Sequence, residues 1–283
     1  MIVITGATGT VGSAVVRYLA ERGEQVRAVT RVPERARVPV GVEVVRGDFT
    51  EPASMSAALA GSRALLLVSV VAPEHERAVV AAARDAGTGR VVRLSAIGTD
   101  DPALPGGAAW HAAGEQALRA SGLDWTILRP SSFATNTLGW ARPILADRPV
   151  PNLTGTAVQG VVDPRDVAAV AGEALRSPAH AGRTYTLTGP ELLSTYDQAA
   201  VLSDVLGRPV PVVDLSEDEA REMMVAAGMP PDAVRASLAG QAWARAGRNA
   251  VVTGDIERIL GRPARTFAEW AADHVRAFAS QEA

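Results

Sequence analysis

Where the first apolar run of this chain ends, it reads Thr5-Gly-Ala-Thr-Gly-Thr-Val-Gly12, three glycines at three-residue spacing. The run before it, Ile2-Val3-Ile4, is β-branched, and Gly12 to Arg22 after it carries apolar residues three and four apart, the mark of an amphipathic helix. A strand that enters a helix through a turn so poor in side chains is a narrow constraint. The first glycine permits a tight turn, the middle one lets a ligand reach the backbone, and the last lets helix and strand pack closely. Free N–H groups at the helix start, at the positive end of its dipole, favour an anion such as a diphosphate. Gly6, Gly9 and Gly12, with Thr8, Thr10 and Val11 between them, are therefore candidate binding residues for a dinucleotide.

The strand-helix rhythm continues for about 130 residues. Val26 to Val29, Val42 to Val45, Ala64 to Val68, Val91 to Leu94 and Trp125 to Leu128 read as further strands, mostly apolar runs suited to burial on both faces. Ala53 to Leu59, Pro73 to Ala86 and Ala108 to Ala120 read as the helices between them. This alternation predicts an α/β fold with a Rossmann-like, doubly wound parallel sheet. After Pro130 the pattern loosens: Val161 to Asp163 reads as a strand leading into a helix from Pro164, and Thr184 to Leu187 as one more strand. Ser194 to Phe278 is mostly helical. The expected division is a dinucleotide-binding domain over 1–153, completed by 161–190, and a smaller, mostly helical C-terminal substrate lobe over 191–283, to which 131–160 contributes.

Which dinucleotide is decided at the end of the second strand, where a carboxylate suits the ribose of NAD and an arginine suits a 2′-phosphate. The residues there are Thr30-Arg31, with Arg35 close behind. A guanidinium can fork onto phosphate and stack on adenine, so NADP(H) is the expected cofactor. All 28 basic residues are arginine, set against 31 acidic ones for a net charge of −3, which leaves no electrostatic footprint for nucleic acid. Cysteine is absent, excluding thiolate metal sites and cysteine nucleophiles. Four dispersed histidines offer no metal set, and no Gly-x-Ser-x-Gly elbow is present. The most apolar segment, Ala64 to Ala72, is too short to span a membrane and the first residues do not read as a signal peptide, so a cytoplasmic location is expected.

Beyond the glycine turn, Gly47-Asp48-Phe49, Leu128-Arg129-Pro130 followed by Phe133 and Asn136, and Val162-Asp163-Pro164-Arg165-Asp166-Val167 resemble the NmrA-like group of atypical short-chain dehydrogenase/reductases. The likeness runs through Leu187-Thr-Gly-Pro-Glu191 to the helical tail, and is nearest to the NADPH-dependent quinone oxidoreductases of the second type. It implies that Asp48 and Phe49 lie beside the adenine, Val68 and Ser69 against the adenosine ribose, and Pro130 to Phe133 along the nicotinamide. It also implies that Ser95, at the end of the fifth strand, lies in the nicotinamide pocket. On the residues alone, Asp48 could instead cap the following helix and Ser95 be an ordinary strand-end hydroxyl.

Many short-chain reductases use a Tyr-x-x-x-Lys pair, which a chain without lysine cannot supply. In its place stands Trp110-His111-Ala-Ala-Gly-Glu115, matching a His-x-x-x-Glu pattern of the quinone-reductase subgroup. Residues four apart share a helix face, so His111 and Glu115 can pair: either His111 serves a substrate carbonyl with Glu115 holding its tautomer, or the pair is an ordinary helix contact that binds nothing. Ser95 and His111 are the candidate catalytic residues, and Phe133 and Trp140 the candidate substrate wall; Met223, Met224, Trp243 and Trp270 read mostly as core. A hydroquinone anion is stabilised, so a quinone or other electron-poor carbonyl or enone tolerates the lack of a strong acid. The expected partner is such a small molecule, with no nucleic acid and no membrane; a homodimer is compatible with the sequence. The rival readings are a non-catalytic NADP(H)-binding redox sensor of the NmrA type and a tailoring ketoreductase of biosynthesis.

Overall fold

The three residues of the first strand, β1 (Ile2–Ile4), divide between two cores, Ile2 and Ile4 entering one and Val3 the other, because successive side chains of a strand point to opposite faces. The same split recurs at β4 (Ala64–Leu67), where Ala64 and Leu66 face one way and Leu65 and Leu67 the other. In this computed structural model, which describes residues 1–69, 71–102, 104 and 107–279, both strands lie at the centre of a sheet.

That sheet has seven parallel strands in the order β3-β2-β1-β4-β5-β6-β8, with β2 (Val26–Thr30), β3 (Glu43–Arg46), β5 (Arg90–Leu94), β6 (Asp124–Pro130) and β8 (Arg183–Leu187). Chain order reverses between β1 and β4, and the crevice at such a switch point is where ligands of open α/β sheets lie. On one face pack α1 (Thr10–Ala20) and α6 (Pro164–Arg176), with Val15, Val16, Leu19, Val167 and Val170 buried. On the other are α2 (Pro52–Leu59), α3 (Pro73–Asp85) and α4 (Gly107–Arg119), which bury Met55, Leu59, Val79 and Leu118. The doubly wound fold read from the sequence is the one observed.

The remaining chain builds beyond the carboxyl edge. Short α5 (Ala141–Leu145) precedes β7 (Val150–Asn152), which pairs in parallel with β9 (Val212–Asp214). A third core of Ile144, Leu202, Phe267, Trp270 and Phe278 joins this pair to α7 (Thr195–Leu206) and α11 (Phe267–Asp273). The hairpin of α8 (Glu217–Ala226) and α9 (Pro231–Arg245) has a separate small core of Ala220, Met224, Val234 and Leu238. α10 (Asp255–Leu260) returns to the large sheet, burying Ile256 beside α6 and β8.

Val161 to Asp163, expected as a strand, forms only an isolated bridge between Val162 and Phe133. The Asp163 carboxylate accepts the Arg165 N–H at 2.8 Å and opens α6, so the extended run ends before it can pair further. Among the described residues no helix is long and apolar enough to cross a membrane.

Candidate active site

The turn after β1 is stapled to β4 through Thr5, whose hydroxyl accepts the Val68 N–H at 2.8 Å and donates toward the carbonyls of Leu66 and Val68 at 3.0 and 3.1 Å. Gly6 sits at φ +60°, a left-handed conformation that favours glycine. A Cβ on Gly12 would lie 2.1 Å from the Gly6 carbonyl oxygen, so helix and turn can meet only without it. Gly9 differs from both. Its φ is −86°, and an added Cβ would meet nothing nearer than the Gly6 oxygen at 3.4 Å, an ordinary contact. The fold therefore does not need glycine at position 9, which is exposed between exposed Thr8 and Thr10.

No side chain caps α1 and no acidic residue stands in its first turn, so its leading N–H groups are open to an anion. Val11 contributes only backbone here, since its side chain is buried in the core. These features fit a diphosphate lying across the turn.

At the end of β2, Arg31 and Arg35 are exposed, and among the described residues neither guanidinium is held in a hydrogen bond or ion pair. Asp48 follows β3 and accepts the Thr50 N–H and hydroxyl at 2.9 and 2.7 Å, which together hold its carboxyl below the usual range, with Arg31 adding to the effect. That is a turn preceding α2, whose N-cap is Glu51. Phe49 is half-buried against the core under α2 and α3.

A cavity of about 480 Å³ opens at the same carboxyl edge, with Val68, Ser69, Ser95, His111, Pro130 and Phe133 in its wall. Six expected site residues from four separate stretches thus converge on one space. Trp243 of α9, read as core from the sequence, completes the wall, donating from its indole to Asp101 at 2.8 Å. Asn249 and Gln159 also line it, and were missed; they form a chain in which Ser131 donates to Asn249 at 3.0 Å and Asn249 to Gln159 at 2.7 Å. Nothing local marks such amides, because their partners lie about a hundred residues away. Trp140 lies on an adjoining chamber, together with Met223 and Met224, while Trp270 is core.

Behind the wall lie two buried ion pairs. Arg93 of β5 donates to Glu76 of α3 at 2.5 Å, with both side chains almost fully buried, and Ser69 adds a hydroxyl to the same carboxylate at 2.6 Å. Gly114 makes room for this pair, since a Cβ there would come within 2.3 Å of Arg93 Nη2 and Glu76 Oε1. Glu115 accepts Arg129 at 2.9 and 2.7 Å and Ser95 at 2.7 Å. Burial works to raise the Glu115 pKa, but these hydrogen bonds outweigh it and the carboxyl lies below its ordinary range.

This arrangement corrects the expected pairing of His111 with Glu115. Among the described residues no hydrogen bond joins them; the carboxylate is taken by Arg129 and Ser95, and His111 Nδ1 faces Arg93 Nη1 at 3.4 Å. Arginine can only donate, so Nδ1 accepts and the ring carries its proton on Nε2. Burial, reinforced by the Arg93 charge, pushes the His111 pKa below its ordinary value. His111 is therefore a neutral imidazole with one N–H to give. The Ser95 proton is already committed to Glu115.

Comparison with known proteins agrees with this geometry. The family described as NAD(P)H-binding matches residues 6–178. The (4-alkanoyl-5-oxo-2,5-dihydrofuran-3-yl)methyl phosphate reductase of Streptomyces griseus is 42% identical over 99% of this chain and 100% of its own. An NAD(P)H azoreductase of Xenophilus azovorans is 36% identical over 98% of this chain and 99% of its own. The NADPH complex of an Escherichia coli NADPH-dependent quinone oxidoreductase superposes with a TM-score of 0.87 at 27% identity, covering 97% of this chain and 100% of that one. With a glycine turn, an uncapped first helix and a shared cleft in place, the chain belongs to the NAD(P)H-binding family and is an oxidoreductase within it.

Proposed function

We propose that this protein uses NADPH to reduce a quinone or another electron-poor carbonyl or enone. The observation that carries the reading is the placement of two things on one carboxyl edge: a turn with a glycine the fold does not require, and a cleft holding an imidazole kept neutral with its N–H on Nε2. The quinone oxidoreductase of similar fold and the azoreductase support the choice of an electron-poor acceptor.

NADPH, when bound, supplies the hydride. The amides at the start of α1 hold its diphosphate, and Arg31 with Arg35, both uncommitted, take the 2′-phosphate. Asp48 and Phe49 would border the adenine, Val68 and Ser69 the ribose, and Pro130 to Phe133 the nicotinamide. His111 then donates its Nε2–H to the acceptor oxygen as negative charge builds there, and the Arg93 cation behind Nδ1 strengthens that donor. A neutral imidazole is a weak acid, so it stabilises the oxyanion and solvent delivers the proton. That suits a hydroquinone anion better than an alkoxide. Ser95 acts as a positioning residue, tying Glu115 and Arg129 to the end of β5.

The test is oxidation of NADPH, followed at the nicotinamide absorbance band, with a panel of quinones, azo dyes and simple ketones. Turnover with quinones and not with unactivated ketones is expected. Tight NADPH binding with no turnover across the panel overturns the reading in favour of a sensor.

A further inference from the structure

The cleft has two compartments, and their walls restrict the acceptor further. The first, about 480 Å³, holds Ser95, His111 and Phe133; the second, about 590 Å³, shares Ser132, Asn136, Gln159, Ser237 and Gln241 with it, so the two are continuous. The second is walled by Trp140, Leu153 and three methionines, Met223, Met224 and Met229. Among the described residues lining either compartment there is no Asp, Glu or Arg, in a chain with 28 arginines and 31 acidic residues. The ionisable group that does line them, His111, is neutral.

A charge moved from water into such a space meets hydroxyls and amides but no counter-charge, which does not repay its lost hydration. Thioether side chains, by contrast, are unbranched and polarizable and adapt to irregular apolar groups. With the nicotinamide along Pro130 to Phe133, as in the reduction reading, the acceptor ring would lie in the first compartment beside His111, with the methionine-lined one beyond it. We infer that the acceptor is an uncharged molecule in two parts: a flat electron-poor ring in the first compartment and an apolar arm in the second. The inference takes its ring from the reduction reading above, and its arm and neutrality from the walls. It also sets this chain apart from its Streptomyces griseus relative, whose name specifies a phosphate ester.

The test is equilibrium binding to the protein–NADP⁺ complex, read by quenching of the fluorescence of Trp140 and Trp243, each of which lines one compartment. Three probes share one ring: 2-methyl-1,4-naphthoquinone, its 2-hexyl analogue, and the analogue whose hexyl chain ends in a carboxylate. Burial of a methylene is worth roughly fourfold in affinity, so the hexyl compound should bind at least about tenfold tighter than the methyl one even if only part of its arm is covered. The carboxylate should bind at least about tenfold weaker than the hexyl compound. Met223 is partly exposed, so Met223→Arg can be accommodated, and it should reverse the order of the hexyl and carboxylate probes. Equal binding of methyl and hexyl probes overturns the arm, and equal binding of hexyl and carboxylate probes in the wild type overturns the neutrality. NADPH oxidation with the methyl compound is measured separately. Ranked binding without oxidation sinks the reduction reading and leaves the uncharged ligand with its apolar arm standing; oxidation without ranked binding does the reverse.

Discussion

Replacing Gly9 with alanine separates what the glycine turn does for the fold from what it does for a ligand. At position 9 the backbone has φ −86°, which alanine adopts freely, and the new Cβ meets only the Gly6 oxygen at 3.4 Å. Folding should therefore be little changed, because the unfolded chain's smaller freedom, worth about 0.4–1 kcal/mol, is offset by the poorer N-cap that alanine makes for α1. The same methyl group stands where a diphosphate must approach within about 3 Å of the α1 amides. Loss of one charge-assisted hydrogen bond, worth about 1.5–3 kcal/mol, weakens NADPH binding about 10- to 150-fold. Gly12→Ala is the control with the opposite pattern. Its Cβ would lie 2.1 Å from the Gly6 oxygen and 2.6 Å from the carbonyl carbon, so α1 must leave its seat, at about 1–3 kcal/mol. Titration calorimetry with NADPH and thermal melting of both variants give the answer. A Gly9→Ala protein that binds NADPH like the wild type, or melts as early as Gly12→Ala, refutes the reasoning.

Arg31→Asp should raise KM for NADPH about 10- to 100-fold while changing KM for NADH little, because only NADPH carries the 2′-phosphate; steady-state kinetics with both cofactors check it. Gly114→Ala should lower stability by about 1–3 kcal/mol, since its Cβ would lie 2.3 Å from both Arg93 and Glu76, and urea unfolding measures the loss. Because the His111 pKa is depressed, the ring stays neutral above its ordinary 6.5 and kcat/KM should be flat there; at lower pH a proton on Nδ1 would face the Arg93 cation, dislodge the ring and lower kcat/KM. An acid limb that survives His111→Gln contradicts that assignment. The folded state resists this protonation, so His111 contributes stability in full above 6.5 and the contribution is lost as pH falls through its folded pKa, as melting at stepped pH should show.

Much of the sheet could be read from the sequence, because β1 and β4 are buried on both faces and announce themselves as unbroken apolar runs, and β5 as a valine pair. The pair β7 and β9 could not. Each is three residues long, one contains Pro151, and their pairing joins segments about sixty residues apart. Val161 to Asp163 misled for a related reason: β-branched residues favour an extended chain, yet Asp163 caps a helix immediately afterwards. At the site, spacing rightly placed His111 and Glu115 near each other on α4 but not what each would bond. Glu115 took Arg129 and Ser95, and His111 took Arg93, partners on β5 and β6 that only the folded sheet brings under the helix. Trp243 was read as core, and it is buried, but one side of it lines the cleft.

The central claim is that hydride passes from NADPH to an acceptor ring in the cleft beside His111. It is tested most directly by a single-turnover experiment in which the protein, loaded with NADPH carrying deuterium at the transferred position, is mixed with a naphthoquinone. The account predicts loss of the nicotinamide absorbance in one phase, slower with deuterium than with hydrogen. An absorbance that persists, or decays at the same rate with either isotope, contradicts it.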